Sequence, residues 1–109
     1  MKKTLIVTLA IVAAAVLSVR AADVKENWEK NCQKCHGEDG KGQTKMGAKA
    51  GVKDYTDAKV QAEMKDDKAI KTIKEGIKED GKEKMKGYAD KLSDEEVKAL
   101  VAHVRSFKK

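Results

Sequence analysis

The sequence contains no proline, few aromatic residues and only two cysteines. Two cysteines exclude a small scaffold held together by many disulfides. Aromatic residues make up 4% of the chain and charged residues 39%, so a polar surface must enclose a thin core. At 109 residues the chain forms one domain at most, and no glycine-rich or serine-rich linker divides it.

The N-terminal region has the pattern of a secretory signal peptide. A short positive segment over residues 1–4 precedes an uncharged, mostly apolar run, Leu5–Val19, and the chain turns polar at Asp23. That run is shorter than the roughly 20 residues that a membrane-spanning helix needs. We therefore predict a signal peptide over residues 1–21, a mature domain over residues 22–109 without a membrane span, and export to a bacterial periplasm. An uncleaved N-terminal membrane anchor is the alternative.

The net charge of the mature chain is smaller than that of the full sequence. The formal charge is +6, from 24 basic and 18 acidic residues, but Lys2, Lys3 and Arg20 fall within the predicted signal peptide. Their removal leaves 21 basic residues against 18 acidic ones, a formal charge of +3. This small excess gives little support to nucleic-acid binding, which requires a strongly basic surface.

A pentapeptide, Cys32-Gln33-Lys34-Cys35-His36, has the spacing of a covalent attachment site for c-type haem. In a helix, Cys32, Cys35 and His36 point to one face, because residues three and four apart are neighbours on a helix surface. The two thiols can then bond the vinyl groups of a single porphyrin while the imidazole binds its iron. The cofactor predicted from the motif is therefore one covalently bound haem c.

Two other chemistries use a pair of cysteines at this spacing. A thioredoxin-like redox disulfide expects a βαβ context, and the sequence has no convincing strand. A structural zinc site needs four ligands, and His103 alone remains among the cysteines and histidines outside the motif. Both stay as alternatives, but the histidine directly after the second cysteine favours haem.

Hydrophobic periodicity predicts an all-α domain. Val24, Trp28 and Cys32 recur every four residues, which predicts a helix running into the pentapeptide. Ser93 and Glu96 form a capping box before the apolar stripe of a last helix. The other predicted elements, in chain order, are a loop over residues 37–57 with a short helix over 57–64 after it, a helix capped by Asp66 or Asp67, and a loop over 78–91.

A second axial ligand for the iron must come from the rest of the chain, and the candidates are Met46, Met64, Met85 and His103. A lone methionine most often fills a core. Met64 is expected to pack within a short helix, whereas Met46 in the glycine-rich loop stays a candidate. Met85 is an isolated large apolar side chain in a polar run shortly before the last helix, which gives it a reason to point inward.

Several segments, taken in order, resemble the class I cytochromes c. They are Trp28–Cys32, His36–Gly42, Met85–Tyr88, Lys91–Glu96 and Leu100–Phe107. The resemblance covers nearly the whole mature chain. It implies a cytochrome c fold of three to five short helices wrapped around one covalent haem, with the first and last helices packed together. It also implies that Met85 is the distal ligand, opposite His36.

The chain departs from that family at two points. The family commonly has a proline after its axial methionine and another whose carbonyl orients the proximal histidine, and this chain has none. Another backbone carbonyl is therefore expected to orient His36. His103 stands where the family usually has an aromatic residue. We expect a packing or surface residue there, with a bis-histidine haem as the alternative.

Ligation by His36 and Met85 implies an electron carrier and not an enzyme. With both axial positions of the iron filled, the implied function is single-electron transfer between redox partner proteins, such as membrane complexes or periplasmic reductases. The chain is expected to be a monomer. The alternatives are a haem enzyme or gas sensor with a labile sixth ligand, and a haem subunit of a larger redox complex.

Overall fold

A computed structural model describes residues 21–109, and within this range short helices dominate. In chain order the elements are α1 (Ala21–Asn31), α2 (Gln33–His36), α3 (Lys45–Ala50), α4 (Ala58–Glu63), α5 (Asp66–Glu75), β1 (Ile77–Glu79), β2 (Lys82–Met85) and α6 (Asp94–Arg105). The helical class predicted from periodicity is confirmed, and the short helix predicted over 57–64 is present as α4. No helix in the described range is long and apolar enough to cross a membrane. The predicted signal peptide lies outside the described residues, except for its last residue.

The hydrophobic core lies between α1 and α6. Its buried apolar side chains within the described range are Val24, Trp28, Cys32, Leu92, Val97, Leu100, Val101 and Val104. Burying a side chain such as Leu100, which is 1% exposed, contributes about 1.5–3 kcal/mol. A hydrogen bond from Asn27 Nδ2 to Glu96 Oε2 (2.8 Å) joins the two helices beside this core. The predicted packing of the first helix on the last is therefore confirmed.

The first turn of α6 carries the capping box that the sequence predicts. Ser93 Oγ accepts a hydrogen bond from Glu96 N (3.2 Å), and Glu96 Oε1 accepts one from Ser93 N (3.0 Å). These bonds satisfy backbone donors that have no partner within the helix. They fix the residue at which α6 begins. Glu96, one of the two residues of the box, also binds Asn27 of α1.

The glycine-rich segment over residues 37–57 contains a short helix, α3, where a loop was predicted. Thr44 caps this helix, because its Oγ1 accepts a hydrogen bond from Gly47 N (2.8 Å). The loop prediction is wrong for these six residues. A helix of this length has room for one large apolar side chain, Met46, and so it shows no periodic stripe.

The charged segment over residues 78–91 contains an antiparallel hairpin, β1–β2, where a loop was also predicted. Its turn residues, Asp80 (φ 52°) and Gly81 (φ 74°), both have the left-handed backbone of a type I′ turn. Opposite charges face each other across the strands at Lys78 and Glu83. The prediction is wrong here because exposed, charged strands show no apolar alternation, although the Asp-Gly pair was an available signal.

Arg105 joins the end of α6 to the junction between α4 and α5. Its guanidinium donates to the carbonyl oxygens of Gln61 and Met64 and to Asp66 Oδ1. Asp66 does not cap α5 as predicted: Lys65 is the N-cap, and Asp66 is the first helical residue. The Asp66 carboxylate is instead bound by Arg105, 39 residues away, a partner that no local pattern reveals.

Candidate haem site

The attachment pentapeptide lies where α1 passes into α2. Helical hydrogen bonds run from Cys32 N to Trp28 O (2.9 Å) and from His36 N to Cys32 O (3.0 Å), and the pattern is interrupted between them because Cys35 N donates to Cys32 O (3.2 Å). No disulfide joins Cys32 to Cys35. The structure thus brings three predicted site residues together within little more than one helical turn, while their bonds to haem remain a prediction.

The backbone around His36 is held from outside the pentapeptide. Three successive carbonyl oxygens each accept a hydrogen bond: Cys35 O from Thr44 Oγ1 (2.8 Å), His36 O from Gly42 N (2.8 Å) and Gly37 O from Trp28 Nε1 (3.0 Å). These bonds restrict the peptide planes on both sides of the imidazole. The sequence predicted Trp28 only as part of the apolar stripe of the first helix, and it predicted no role for Thr44. The available signal was Thr44 as a potential N-cap after the glycines.

The His36 ring is half-buried between two aromatic side chains. Its centroid lies 5.7 Å from that of Trp28 and 5.5 Å from that of Tyr55. Burial lowers the pKa of His36 and so favours the neutral imidazole that binds metals. Its Nδ1 is buried without a hydrogen-bond partner among residues 21–109. The carbonyl that was expected to orient His36 is therefore not found there, and the flanking rings and the fixed backbone hold the imidazole instead.

The first thiol of the motif is buried in the core. Cys32 is 7% exposed, and burial raises its pKa to about 11. At neutral pH this side chain is therefore a thiol and not a thiolate. Redox and zinc-binding cysteines act as thiolates and have lowered pKa values. A buried, protonated Cys32 gives neither alternative to haem attachment any support.

Met85 lies on a different element from the other predicted ligands. It is half-buried at the end of β2, across the hairpin from Ile77. Three residues later, Tyr88 Oη donates a hydrogen bond to Asn31 O (2.9 Å), which ties this segment to the residue before Cys32. The structure therefore connects Met85 to the attachment motif through Tyr88, and ligation by Met85 remains a prediction.

The other candidate ligands have different surroundings. Met46 is 45% exposed on α3, whereas Met64 packs against the core at the end of α4. The His103 ring contacts two aromatic rings, with centroid distances of 5.2 Å to Trp28 and 4.9 Å to Phe107. These contacts agree with the packing role that we expected of His103.

The residues around the motif fit a haem. Elements that follow the motif contribute half-buried side chains that pack on the core, namely Tyr55, Met64, Ile70, Ile73 and Tyr88. Cys32 belongs to the same core cluster, and the His36 ring lies against Tyr55. Thiols for attachment, a nitrogen ligand and an apolar enclosure are what a covalently held porphyrin requires from its protein.

Comparison with known proteins identifies the family of this chain. A family model described as cytochrome c oxidase, cbb3-type, subunit III matches residues 19–104. A solved structure described as KustC0563 c-type cytochrome shares 40% sequence identity, with a TM-score of 0.70, over 78% of this chain and 96% of that chain. A tyrosine-to-phenylalanine mutant of Kustc0563 also shares 40% identity, with a TM-score of 0.69, over 79% and 99% of the two chains. No curated protein matches the sequence.

The family match runs from α1 into α6 and includes both the attachment motif and Met85. The structural similarity to a c-type cytochrome confirms the resemblance that the motifs indicated. Members of this class bind haem and generally carry electrons. The chain therefore belongs to the cbb3-type subunit III family of cytochrome domains and is a small c-type cytochrome.

Proposed function

We propose that this cytochrome carries single electrons with one haem c, joined by thioethers to Cys32 and Cys35 and bound axially by His36 and Met85. The observation that carries the proposal is the helical arrangement of the motif on a backbone whose carbonyls are held on both sides of His36. Two thiols and a neutral imidazole in one short, fixed segment suit the attachment of a single porphyrin.

The proposed axial ligands give the site the chemistry of a carrier. When bound, the haem supplies one-electron cycling between Fe(III) and Fe(II). His36 offers an uncharged nitrogen because burial lowers its pKa. Met85 offers a thioether sulfur, which favours the reduced state and raises the reduction potential. With both ligands in place no axial position is open to a substrate, so the proposal excludes catalysis at the iron.

The surrounding side chains keep water away from this site. Trp28 is 3% exposed and packs beside His36. Tyr55 lies against the other side of the imidazole, and burial raises its pKa, so its hydroxyl stays protonated at neutral pH. An apolar, uncharged enclosure of this kind disfavours the more highly charged oxidised state and therefore also raises the reduction potential.

We propose that the partners are redox proteins that present acidic residues toward the Met85 side of the molecule. Lys84 and Lys86 flank Met85 in sequence, and neither they nor Lys91 form an ion pair within residues 21–109. The neighbouring Lys86 ammonium lowers the pKa of Lys91. Concentrated positive charge steers brief encounters with acidic surfaces.

We also propose that residues 1–21 direct the chain to a bacterial periplasm and that the mature cytochrome is a monomer there. The charge and hydropathy pattern of the N-terminal region supports export. Its family supports the same proposal, because c-type cytochromes are typically exported.

Visible spectra of the purified protein, oxidised and reduced, test this proposal. We expect haem that stays with the polypeptide after acidic organic extraction, low-spin spectra in both states, and a weak near-infrared sulfur-to-iron band in the oxidised state. Met85→Ala should lose that band, lower the reduction potential and let carbon monoxide bind the reduced protein, because a coordination position opens.

Met46→Ala is the matched control for the Met85 substitution. The Met46 side chain is 45% exposed on α3, so its removal should leave the spectra and the potential at their wild-type values. A Met85→Ala protein that keeps the native low-spin spectrum would contradict the assignment of Met85 as the distal ligand.

A haem subunit of a larger redox complex is the second candidate function. The family description, which names an oxidase subunit, favours it. Gel filtration of a native extract separates the two candidates, since a carrier elutes at the size of one small domain and a subunit elutes with its complex.

A further inference from the structure

The chain after Met85 contains no proline, and backbone hydrogen bonds attach it to the C-terminal end of α5. Tyr88 N donates a hydrogen bond to Ile73 O (2.9 Å), and Ala89 N donates one to Lys74 O (3.2 Å). These bonds fix the backbone three and four residues beyond the proposed ligand. We refer to residues 85–88 as the Met85 strap.

Two glycines let the strap approach α5 closely. A Cβ atom added to Gly76 would lie 2.3 Å from Met85 O, and one added to Gly87 would lie 2.7 Å from Lys74 O. Neither distance leaves room for a side chain unless the backbone moves. The strap therefore lies in close contact with the C-terminal end of α5.

The Tyr88 hydroxyl, at the C-terminal end of the strap, is bound to the last residue of α1. Its Oη donates to Asn31 O across a separation of 57 residues. In a continuous helix that carbonyl would accept from Cys35 N, but Cys35 N donates to Cys32 O (3.2 Å) instead. The break between α1 and α2 thus creates the acceptor that Tyr88 uses.

We propose that Tyr88 is a positioning residue that holds the Met85 strap closed against the end of α1, the helix that runs into the attachment motif. This inference rests on the proposed ligation by Met85. One hydrogen bond joins the residue before Cys32 to a residue three positions after Met85. Without the hydroxyl, the Asn31 carbonyl has lost this hydrogen bond in the closed arrangement, which raises the free energy of that arrangement. When the strap opens, water can hydrogen-bond to the same carbonyl, so the open arrangement does not carry this cost. The equilibrium then shifts toward opening.

Binding of added imidazole to the oxidised holoprotein measures this opening, because imidazole must displace the Met85 sulfur from the iron. Tyr88→Phe removes the hydroxyl and keeps the ring. We expect this variant to bind imidazole about five- to thirtyfold more tightly than the wild type, the factor expected when loss of a partly buried hydrogen bond leaves a carbonyl without its partner. Amide hydrogen exchange at Ala89 should accelerate by a similar factor, which reports opening without any ligand.

Asn27→Ala is the matched control, because it removes a hydrogen bond between α1 and α6 that does not involve the strap. It should lower resistance to urea and keep the imidazole affinity within about twofold of the wild type. Equal affinities in Tyr88→Phe and wild type, or an equal increase in both variants, would overturn the positioning role. A wild-type protein that lacks the sulfur-to-iron band would instead overturn the ligation by Met85, so the two failures are distinguishable.

Discussion

Thr44 connects the attachment motif to the helix that follows it through one hydroxyl group. Its Oγ1 donates to Cys35 O and accepts from Gly47 N, both at 2.8 Å. Gly47 comes so close to the motif that a Cβ there would lie 2.2 Å from Cys35 O. The start of α3 is therefore packed directly on the backbone that carries the second cysteine and the histidine.

Replacement of Thr44 by valine tests this connection at the scale of one residue. Thr44→Val keeps the shape of the side chain but leaves both Cys35 O and Gly47 N without their partner. We expect the free energy of unfolding of the holoprotein to fall by about 1–2 kcal/mol, measured by urea titration.

Thr44→Ser is the control, since serine can form both hydrogen bonds, and it should recover most of the lost stability. If the valine and serine variants were equally stable, the hydroxyl would have no part in holding the motif.

Among the elements, α6 is the one that makes the most distant connections. Its buried face packs on α1, and Arg105 at its end binds the junction between α4 and α5. At its beginning, Glu96 accepts hydrogen bonds from Ser93 N and from Asn27 Nδ2. A single carboxylate thus serves both the N-terminus of the helix and the contact with α1.

This carboxylate makes the stability of α6 depend on pH. Hydrogen bonds, first from the Ser93 backbone and then from Asn27, lower the pKa of Glu96 in the folded state. The contribution of Glu96 is therefore complete above the unfolded pKa of about 4.3 and is lost as the pH falls through the folded pKa. We expect Glu96→Gln to flatten the dependence of unfolding free energy on pH in this acidic range, measured by urea titration at a series of pH values.

Glu95→Gln is the corresponding control. Glu95 lies in the same turn, but it pairs only with exposed Lys98 at 3.8 Å, an interaction that contributes little. This variant should retain the wild-type pH dependence. An unchanged pH dependence in Glu96→Gln would show that the capping carboxylate does not link stability to pH.

At the scale of the whole molecule, the core is distributed unevenly. The buried apolar side chains of the described residues belong to α1, α6 and their flanking residues, whereas α5 and the Met85 strap contribute half-buried ones. Two side chains, Val97 and Leu100, are less than 2% exposed. Small domains with so little core usually depend on a covalent or metal staple.

We therefore expect the chain without haem to be largely unfolded. A Cys32→Ala, Cys35→Ala protein should show little helical circular dichroism and no cooperative thermal transition, whereas the holoprotein should melt cooperatively. The wild-type chain prepared without haem and kept reduced separates loss of the cofactor from loss of the two sulfur atoms. A cooperative transition in either haem-free chain would contradict this expectation.

Features encoded by neighbouring residues could be predicted from the sequence, and features that depend on distant partners could not. The capping box at Ser93 and the stripe that ends at Cys32 are both local patterns, and both were found in the structure. The Asp80-Gly81 turn was equally local, and it was missed because the strands around it carry charge on both faces. Arg105 could not be assigned, since its partners on α4 and α5 lie about 40 residues away.

The same distinction applies to the site. The spacing of Cys32, Cys35 and His36 is a local property, so their placement on one short segment could be predicted. The proposed role of Tyr88 could not be predicted, because its acceptor, Asn31 O, lies 57 residues earlier in the chain. That carbonyl is available only because the helical hydrogen-bond pattern is interrupted after Asn31. The structure also shows that Trp28 and Tyr55 flank the His36 ring and that its Nδ1 has no hydrogen-bond partner among residues 21–109, which no sequence pattern indicated.

The pairing of α1 with α6 also has a consequence for how the protein is made. Asn27 and Glu96, which join the two helices, are 69 residues apart. Because a ribosome builds the chain from its N-terminus, α1 is synthesised long before its packing partner exists, and contacts of this sequence separation form slowly. Both thiols are therefore expected to stay accessible to attachment chemistry in the newly made chain, because we expect the chain without haem to be largely unfolded. The burial of Cys32 in the core between α1 and α6 then follows haem attachment and does not precede it.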